Sequence, residues 1–353
     1  MEIPTFVTEK SVKMNDKVMK SRRYYAILLV LLVAVSAMFF KCERKHYFNQ
    51  SGVVWTTEYH ITYEANRSLN DSIQRILQAI DSSVSPYNQS SLISALNVNK
   101  SQEADDYFVM LYHASQQVHR QSGGAFDPTV MPLVNAWGFG YKNGTPPTRR
   151  QVDSILTFVG LDKTRLDGRR LHKDDERIQF DFSSIAKGMA CDEIGRMLER
   201  NGAQNYVVEI GGEVMARGVN NRGQRWHVSV DMPIEQADTV SHESALLLAI
   251  DSGAVATSGS YRKFHEVDGH RVTHIVNPAT GSSESSDLLS VTVTAPSCML
   301  ADAWATACMV MGTQATQRLM ESRSDLGVMT ISAGIDGTLT VWSNRCFADL
   351  IAP

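Results

Sequence analysis

Between Asp181 and Asp192 the chain reads Asp-Phe-Ser-Ser-Ile-Ala-Lys-Gly-Met-Ala-Cys-Asp, a loop of small hydroxyl residues between a carboxylate and a lysine. It leads straight into a helical pattern. Backbone amides at a helix start, joined by the fixed cation of Lys187, are equipment for holding phosphates. An ordinary helix start, with Ser183 or Ser184 as N-cap and Lys187 solvated, fits this stretch equally well when it is taken alone. A second group lies in Leu300-Ala301-Asp302-Ala303-Trp304-Ala305-Thr306-Ala307. On a helix Asp302 and Thr306 share one face, so a carboxylate and a hydroxyl can meet the same hard cation, and the alanines between them leave room.

Two further segments carry weaker signals. Gly123-Gly124-Ala125-Phe126-Asp127-Pro128-Thr129 combines a backbone that can approach a ligand closely with an aromatic and a carboxylate. That combination suits a base or a flavin ring, and it also suits a glycine turn into an aromatic core. Ala256-Thr257-Ser258-Gly259 forms a small-residue turn, and His274 precedes the Asn277-Pro278-Ala279-Thr280-Gly281 turn. There a group titrating near neutrality sits beside a flexible loop, in a catalytic or a structural role.

These residues need elements to position them. Leu69, Ile73, Ile76, Leu77 and Ile80 recur at helical spacing, as do Tyr107, Leu111, Ala114 and Val118. Val53 to Tyr63 alternates and is rich in β-branched and aromatic residues, which predicts a strand. Further strands are predicted at Tyr206–Ile210, ending at the Gly211-Gly212 turn, and at Trp226–Val230, Ala245–Ile250 and Leu289–Thr294. They cluster in the second half without helices between them, favouring an antiparallel sheet in a mixed α+β chain. Glu213, just after Gly211-Gly212, reads as a solvated hairpin charge outside the site. Thr145-Pro146-Pro147-Thr148 marks a loop in the position of a lid.

With 353 residues, 43% hydrophobic and 20% charged, the chain can bury a sizeable core. A net charge of -4 argues against a nucleic-acid surface. Of the five cysteines, Cys191, Cys298 and Cys308 lie in apolar runs as small hydrophobes, and no spacing announces a metal site or a disulfide framework. The N-terminus is separate. Residues 1–23 are basic, with Lys10, Lys13, Lys17, Lys20, Arg22 and Arg23, and Tyr24 through Phe40 carries no charge. Residues 24–41 therefore read as a signal anchor in a bacterial cytoplasmic membrane, with the basic flank inside and the domain over 50–353 extracytoplasmic. Lipidation at Cys42 is disfavoured because Phe39, Phe40 and Lys41 are not the small residues of a cleavage site.

The ordered motifs together resemble the ApbE family of flavin transferases, from about Thr56 to about Gly312. The resembling pieces are Tyr87-Asn88-Gln89-Ser90 with Ser94-Ala95-Leu96-Asn97, Gly124 to Thr129, Asp181 to Gly188, Glu209 to Glu213, Thr257-Ser258-Gly259, His274 to Gly281, and Asp302 to Thr306. The resemblance implies a T-fold-like α+β domain following the N-terminal membrane segment. It also implies magnesium-dependent transfer of FMN from FAD to a Thr or Ser of an acceptor, with release of AMP. The acceptor would be a flavoprotein subunit of a membrane or exported electron-transfer complex. A magnesium-dependent FAD pyrophosphatase and a non-catalytic FAD-binding membrane protein are the alternatives.

By the same resemblance, Tyr87, Ala125, Phe126, Asp127, Asp181, Lys187, Thr257, His274 and Ile275 would contact FAD, with Lys187 favouring its phosphates and His274 serving as general base. The metal would be held by Asp302, Thr306 and the backbone carbonyl of Ser184. One departure stands out: the family's opening Met-Gly-Thr appears here as Trp55-Thr56-Thr57, without the glycine.

Overall fold

Alternating side chains and tight turns produce a single large sheet. The computed structural model describes Tyr25 and residues 46–140, 146–231, 244–260, 264–267, 270–283, 287–334 and 336–352. Residues 1–23, Cys42 and, apart from Tyr25, the expected anchor over 24–41 lie outside the described residues, as does Thr145. Among the described residues no helix is long and apolar enough to cross a membrane.

The eight strands β1 (His46–Val54), β2 (Thr57–Ala65), β3 (Tyr206–Ile210), β4 (Glu213–Arg217), β5 (Ser252–Gly259), β6 (Leu288–Ala295), β7 (Gly327–Ala333) and β8 (Leu339–Ser343) lie side by side in that order. Every pairing is antiparallel, as the clustered strand signals predict. The expectation of one strand from Val53 to Tyr63 is corrected, because a two-residue turn at Trp55-Thr56 splits it into β1 and β2. Trp55 and Thr56 adopt φ of 49° and 62°, a left-handed turn that Asn or Gly ordinarily marks, so the residue types gave no sign of it.

The helices follow their periodic patterns. α1 (Asn70–Val84) buries Ile73, Leu77 and Ile80, and α2 (Asp106–Gln121) buries Phe108, Leu111 and Val118. α3 (Ala186–Arg200) lies over β3 and β4, and α4 (Cys298–Glu321), interrupted at Gly312, lies over β5 and β6. The two-residue period of β5 divides two cores: Ala254 and Ala256 face the main helical core, and Val255 faces the other side. On that other side Val214, Trp226, Val230, Leu248 and Ile250 form a second core with the hairpin Trp226–Asp231/Ser244–Ile250.

α3 and α4 meet closely at their N-terminal ends. The Asp192 carboxylate accepts hydrogen bonds from Ser297 Oγ (2.7 Å) and from the amides of Cys298 (2.8 Å) and Met299 (3.0 Å), capping α4 from a neighbouring helix. One turn earlier, a Cβ on Gly188 would stand 2.3 Å from the Cys298 carbonyl oxygen and 2.8 Å from Met299 Cα. Both obstacles are backbone. Cys191, Cys298 and Cys308 are buried and free, as small hydrophobes should be.

Gly188→Ala must push the helices apart and should cost about 1–3 kcal/mol. Gly195→Ala, whose new methyl first meets the Tyr206 side chain at 3.0 Å, should cost less. Urea unfolding of both variants checks this, and a loss at Gly188 no greater than at Gly195 counts against the close helix contact.

Candidate active site

The Asp181 loop is pinned from both sides. The Asp181 amide donates to the Pro128 carbonyl at 2.7 Å, and the Asn97 side chain accepts from the Phe180 amide (2.7 Å) and donates to its carbonyl (2.9 Å). Phe182 is buried against Phe108, with ring centroids 5.1 Å apart. Between these anchors the Asp181 carboxylate accepts from the Ser183 amide (2.8 Å) and the Ser183 hydroxyl (2.5 Å). Burial raises its pKa, while Ser183 and the charge of Lys187 act in the opposite direction. The phenol of Tyr87, an exposed residue, lies beside this group, its pKa raised by burial of the hydroxyl and by Asp181 and lowered in part by Ser183.

No side chain of the residues leading into α3 caps it. Its N-cap residue is Ile185, so neither Ser183 nor Ser184 plays the part that a plain helix start would give it. Half-buried Ser184 stands one residue before that position. The Gly188 amide in the first turn donates to Asp302 Oδ2 at 3.1 Å. Amides at a helix N-terminus and the helix dipole favour negative charge there.

Lys187 is the centre of the charge pattern. Its Nζ lies 3.3 Å from Glu213 Oε1 and 3.6 Å from Asp302 Oδ2. The lysine side chain is 28% exposed while the two carboxylates are 5% and 4% exposed, so the cation alone reaches the surface. Although burial disfavours its charge, Asp302 and Glu213 hold the lysine pKa above its ordinary value. Burial raises the Glu213 carboxyl, with Lys187 pulling it down and Asp302 pushing it further up. Burial raises Asp302 as well, against Lys187 and the Gly188 amide. The reading of Glu213 as a solvated hairpin charge is therefore overturned: it is buried, paired, and part of the site.

One helical turn beyond Asp302, half-buried Thr306 places Oγ1 3.3 Å from Ser258 Oγ. Ser258, not Thr257, faces the helices, because alternation along β5 turns Thr257 to the other face, where its hydroxyl meets Thr292 Oγ1 at 3.0 Å. His274 is exposed, with its ring edge-to-face with Phe139 at 6.5 Å. Ile275 packs on the main core and its amide donates to Thr273 Oγ1 at 3.3 Å. The following turn is held by Trp137 Nε1 donating to the Gly281 carbonyl at 2.8 Å.

The Gly123-Gly124 segment takes the form of a turn into an aromatic core. The Phe126 ring is buried in the main core. Asp127 is buried and committed to local structure: Oδ1 accepts from the Thr129 amide (2.8 Å) and hydroxyl (2.6 Å), and Oδ2 accepts from the Leu161 amide (2.8 Å). Half-buried Ala125 leaves its segment's backbone as the part near the surface.

The donors around Asp302 fit a hard divalent cation. Carboxylate, hydroxyl and carbonyl oxygens are the ligands such ions take. Two buried carboxylates facing one ammonium leave negative charge to be balanced, and Glu213 Oε2 is buried without a hydrogen-bond partner. Among the described residues no three His, Cys, Asp or Glu side chains converge as a metal cluster, so a cation beside Asp302 would have to draw on hydroxyl and carbonyl oxygens.

The sequence profile of the ApbE family matches residues 55–330. The chain is similar to the FAD:protein FMN transferase of Vibrio cholerae serotype O1, with 32% identity over 326 residues, covering 89% of this chain and 95% of that protein. It is also similar to the FAD:protein FMN transferase of Salmonella typhimurium, with 33% identity over 308 residues, 84% of this chain and 86% of that protein. The fold matches the apo crystal structure of the Pseudomonas stutzeri flavinyl transferase ApbE, with a TM-score of 0.77 and 29% identity over 87% of this chain and 97% of that one. With the profile spanning most of its length and relatives aligning along nearly all of theirs, the chain belongs to the ApbE family.

Proposed function

We propose that this protein transfers the FMN half of FAD to a threonine or serine hydroxyl of an acceptor protein and releases AMP. The observation that carries this reading is the meeting of the α3 N-terminus, Lys187 and the Asp302–Thr306 face at one end of the helix. That arrangement suits a dinucleotide pyrophosphate, and relatives named as FAD:protein FMN transferases support the choice of donor and acceptor.

Lys187 balances phosphate charge at the surface while its carboxylate partners stay buried. Tyr87 and the Asp181 loop offer a ring and polar edges to the flavin nucleotide. The acceptor oxygen attacks the phosphorus on the FMN side, the bridging P–O bond to AMP breaks, and the hydroxyl proton passes to His274 and then to solvent. The exposure of His274 leaves it within reach of a docked polypeptide. A magnesium ion held by Asp302, Thr306 and the Ser184 carbonyl would neutralise the pyrophosphate. Water in the acceptor's place would give FMN and AMP from the same residues.

Asp302→Asn retains an acceptor for the Gly188 amide but loses the charge. It should slow FMN transfer by at least roughly 30-fold, about 2 kcal/mol of transition-state stabilisation, with little change in melting temperature. Mass spectrometry of a co-expressed acceptor, reading covalent FMN, measures it; a near-normal rate at saturating magnesium removes Asp302 from the metal site. His274→Ala should bind FAD almost normally and transfer at least about 100-fold more slowly. Release of AMP without acceptor, unchanged when acceptor is added, would instead identify a pyrophosphatase.

The same reading places the acceptor outside the cytoplasm, because the basic flank and uncharged run of residues 1–40 suit an anchor with its positive side inside. A reporter fused after Pro353 should then behave as exported and fractionate with membranes. A soluble cytoplasmic product with an intact N-terminus overturns the anchor and the exported acceptor together.

A further inference from the structure

Glu213 is a buried carboxylate that the transfer chemistry leaves unused. It opens β4 directly after the Gly211-Gly212 turn, and its backbone carbonyl accepts from Cys191 Sγ at 3.3 Å, tying the strand to α3. Its Oε1 faces Lys187 at 3.3 Å, and its Oε2 is shut off from solvent without a hydrogen-bond partner. A buried carboxylate is unfavourable unless it answers a positive charge, and the charge in reach is the Lys187 ammonium.

That ammonium has a second claimant. Asp302 Oδ2, 3.6 Å away, already accepts from the Gly188 amide. A divalent cation approaching Asp302 would meet the like charge of Lys187 at the same oxygen, so the lysine must have somewhere else to rest. Three separate elements, α3, β4 and α4, supply the lysine and its two carboxylates, and Glu213 is the nearer of the two. A flexible four-carbon stem lets the ammonium shift between them.

Resting on the cation reading above, we propose that Glu213 is a positioning residue: it draws the Lys187 ammonium off Asp302, leaving that carboxylate free for a divalent cation while the lysine still faces the phosphates. Lys187 Nζ also donates to the Ser183 carbonyl at 3.4 Å, but without the Glu213 charge Asp302 becomes the lysine's remaining charged partner in this cluster, and Lys187 competes with the cation for it. Glu213 acts here by holding another side chain in place and not by ligating the cation.

Binding of Mn2+ to the full chain, followed by electron paramagnetic resonance, tests this in wild type, Glu213→Gln, Lys187→Met and the double variant. Melting curves without metal run alongside. Glu213→Gln should weaken Mn2+ binding at least about 10-fold, and adding Lys187→Met should restore it to within about threefold of wild type, the coupling expected of residues in one network. Unchanged affinity in Glu213→Gln overturns the proposal. So does a double variant as weak as Glu213→Gln, because Glu213 would then be a ligand in its own right. If Glu213→Gln does not fold, Lys187→Met alone decides: tighter Mn2+ binding supports competition at Asp302 and weaker binding refutes it. Wild-type protein that binds no Mn2+ brings down the metal reading and this one together, whereas a failure confined to the variants brings down this one alone.

Discussion

The contact between the N-terminal ends of α3 and α4 is the constraint on which the site depends. Gly188 lets the backbones meet, and Asp192 takes the exposed amides of α4 as hydrogen-bond donors. Each would be costly alone. A helix pressed this closely on another cannot keep its end amides in water, and the cross-helix carboxylate satisfies them instead. The consequence appears one turn further along α4, where Asp302 is brought to the first turn of α3 and beside Lys187. The placing of Lys187 beside Asp302 is thus a product of helix packing.

Electrostatics then follows from burial. Carboxylates in a low-dielectric interior resist ionisation unless a partner repays the lost hydration, and here one lysine answers two of them. The cluster is held short of positive charge by construction. A hard cation or an approaching pyrophosphate changes that balance from opposite sides, since the cation adds charge at Asp302 and the phosphate draws on Lys187. The dipole at the start of α3 adds a third contribution, which points the same way for an anionic ligand.

Much of this was legible in the residues, for reasons that can be named. Lys187, Asp302 and Thr306 were readable because helical spacing alone puts a carboxylate and a hydroxyl on one face and a lysine at a helix start. The antiparallel sheet was readable from strands that follow one another without helices between them. Glu213 was hidden: a charged residue after Gly-Gly looks like an exposed hairpin, and only its long-range partner Lys187 makes burial tolerable. The choice between Thr257 and Ser258 turned on one step of strand register, which hydroxyl chemistry cannot settle and pairing of β5 with β6 does. Phe126 and Asp127 had the right types for a ligand site. Their neighbours, the main core for one and the Thr129 and Leu161 amides for the other, took them for the fold.

The turn at Trp55-Thr56 holds a left-handed backbone without a glycine. Thr56 takes φ of 62° without being glycine, and Trp55 takes 49°, conformations that carry a penalty of about 1–2 kcal/mol per residue for side chains with a Cβ. Strain of this kind persists only where surroundings over-determine it. Here Asp81 does so, accepting from Trp55 Nε1 at 3.0 Å with one oxygen and from Asn88 Nδ2 at 2.7 Å with the other. The turn also backs onto Gly211, where a Cβ would come within 2.8 Å of Thr57 Oγ1, so the chain has no room to relax toward β3. One carboxylate in the last turn of α1 thereby couples the β1–β2 turn to the segment carrying Tyr87, whose pKa is raised by burial and then by the charge of Asp181.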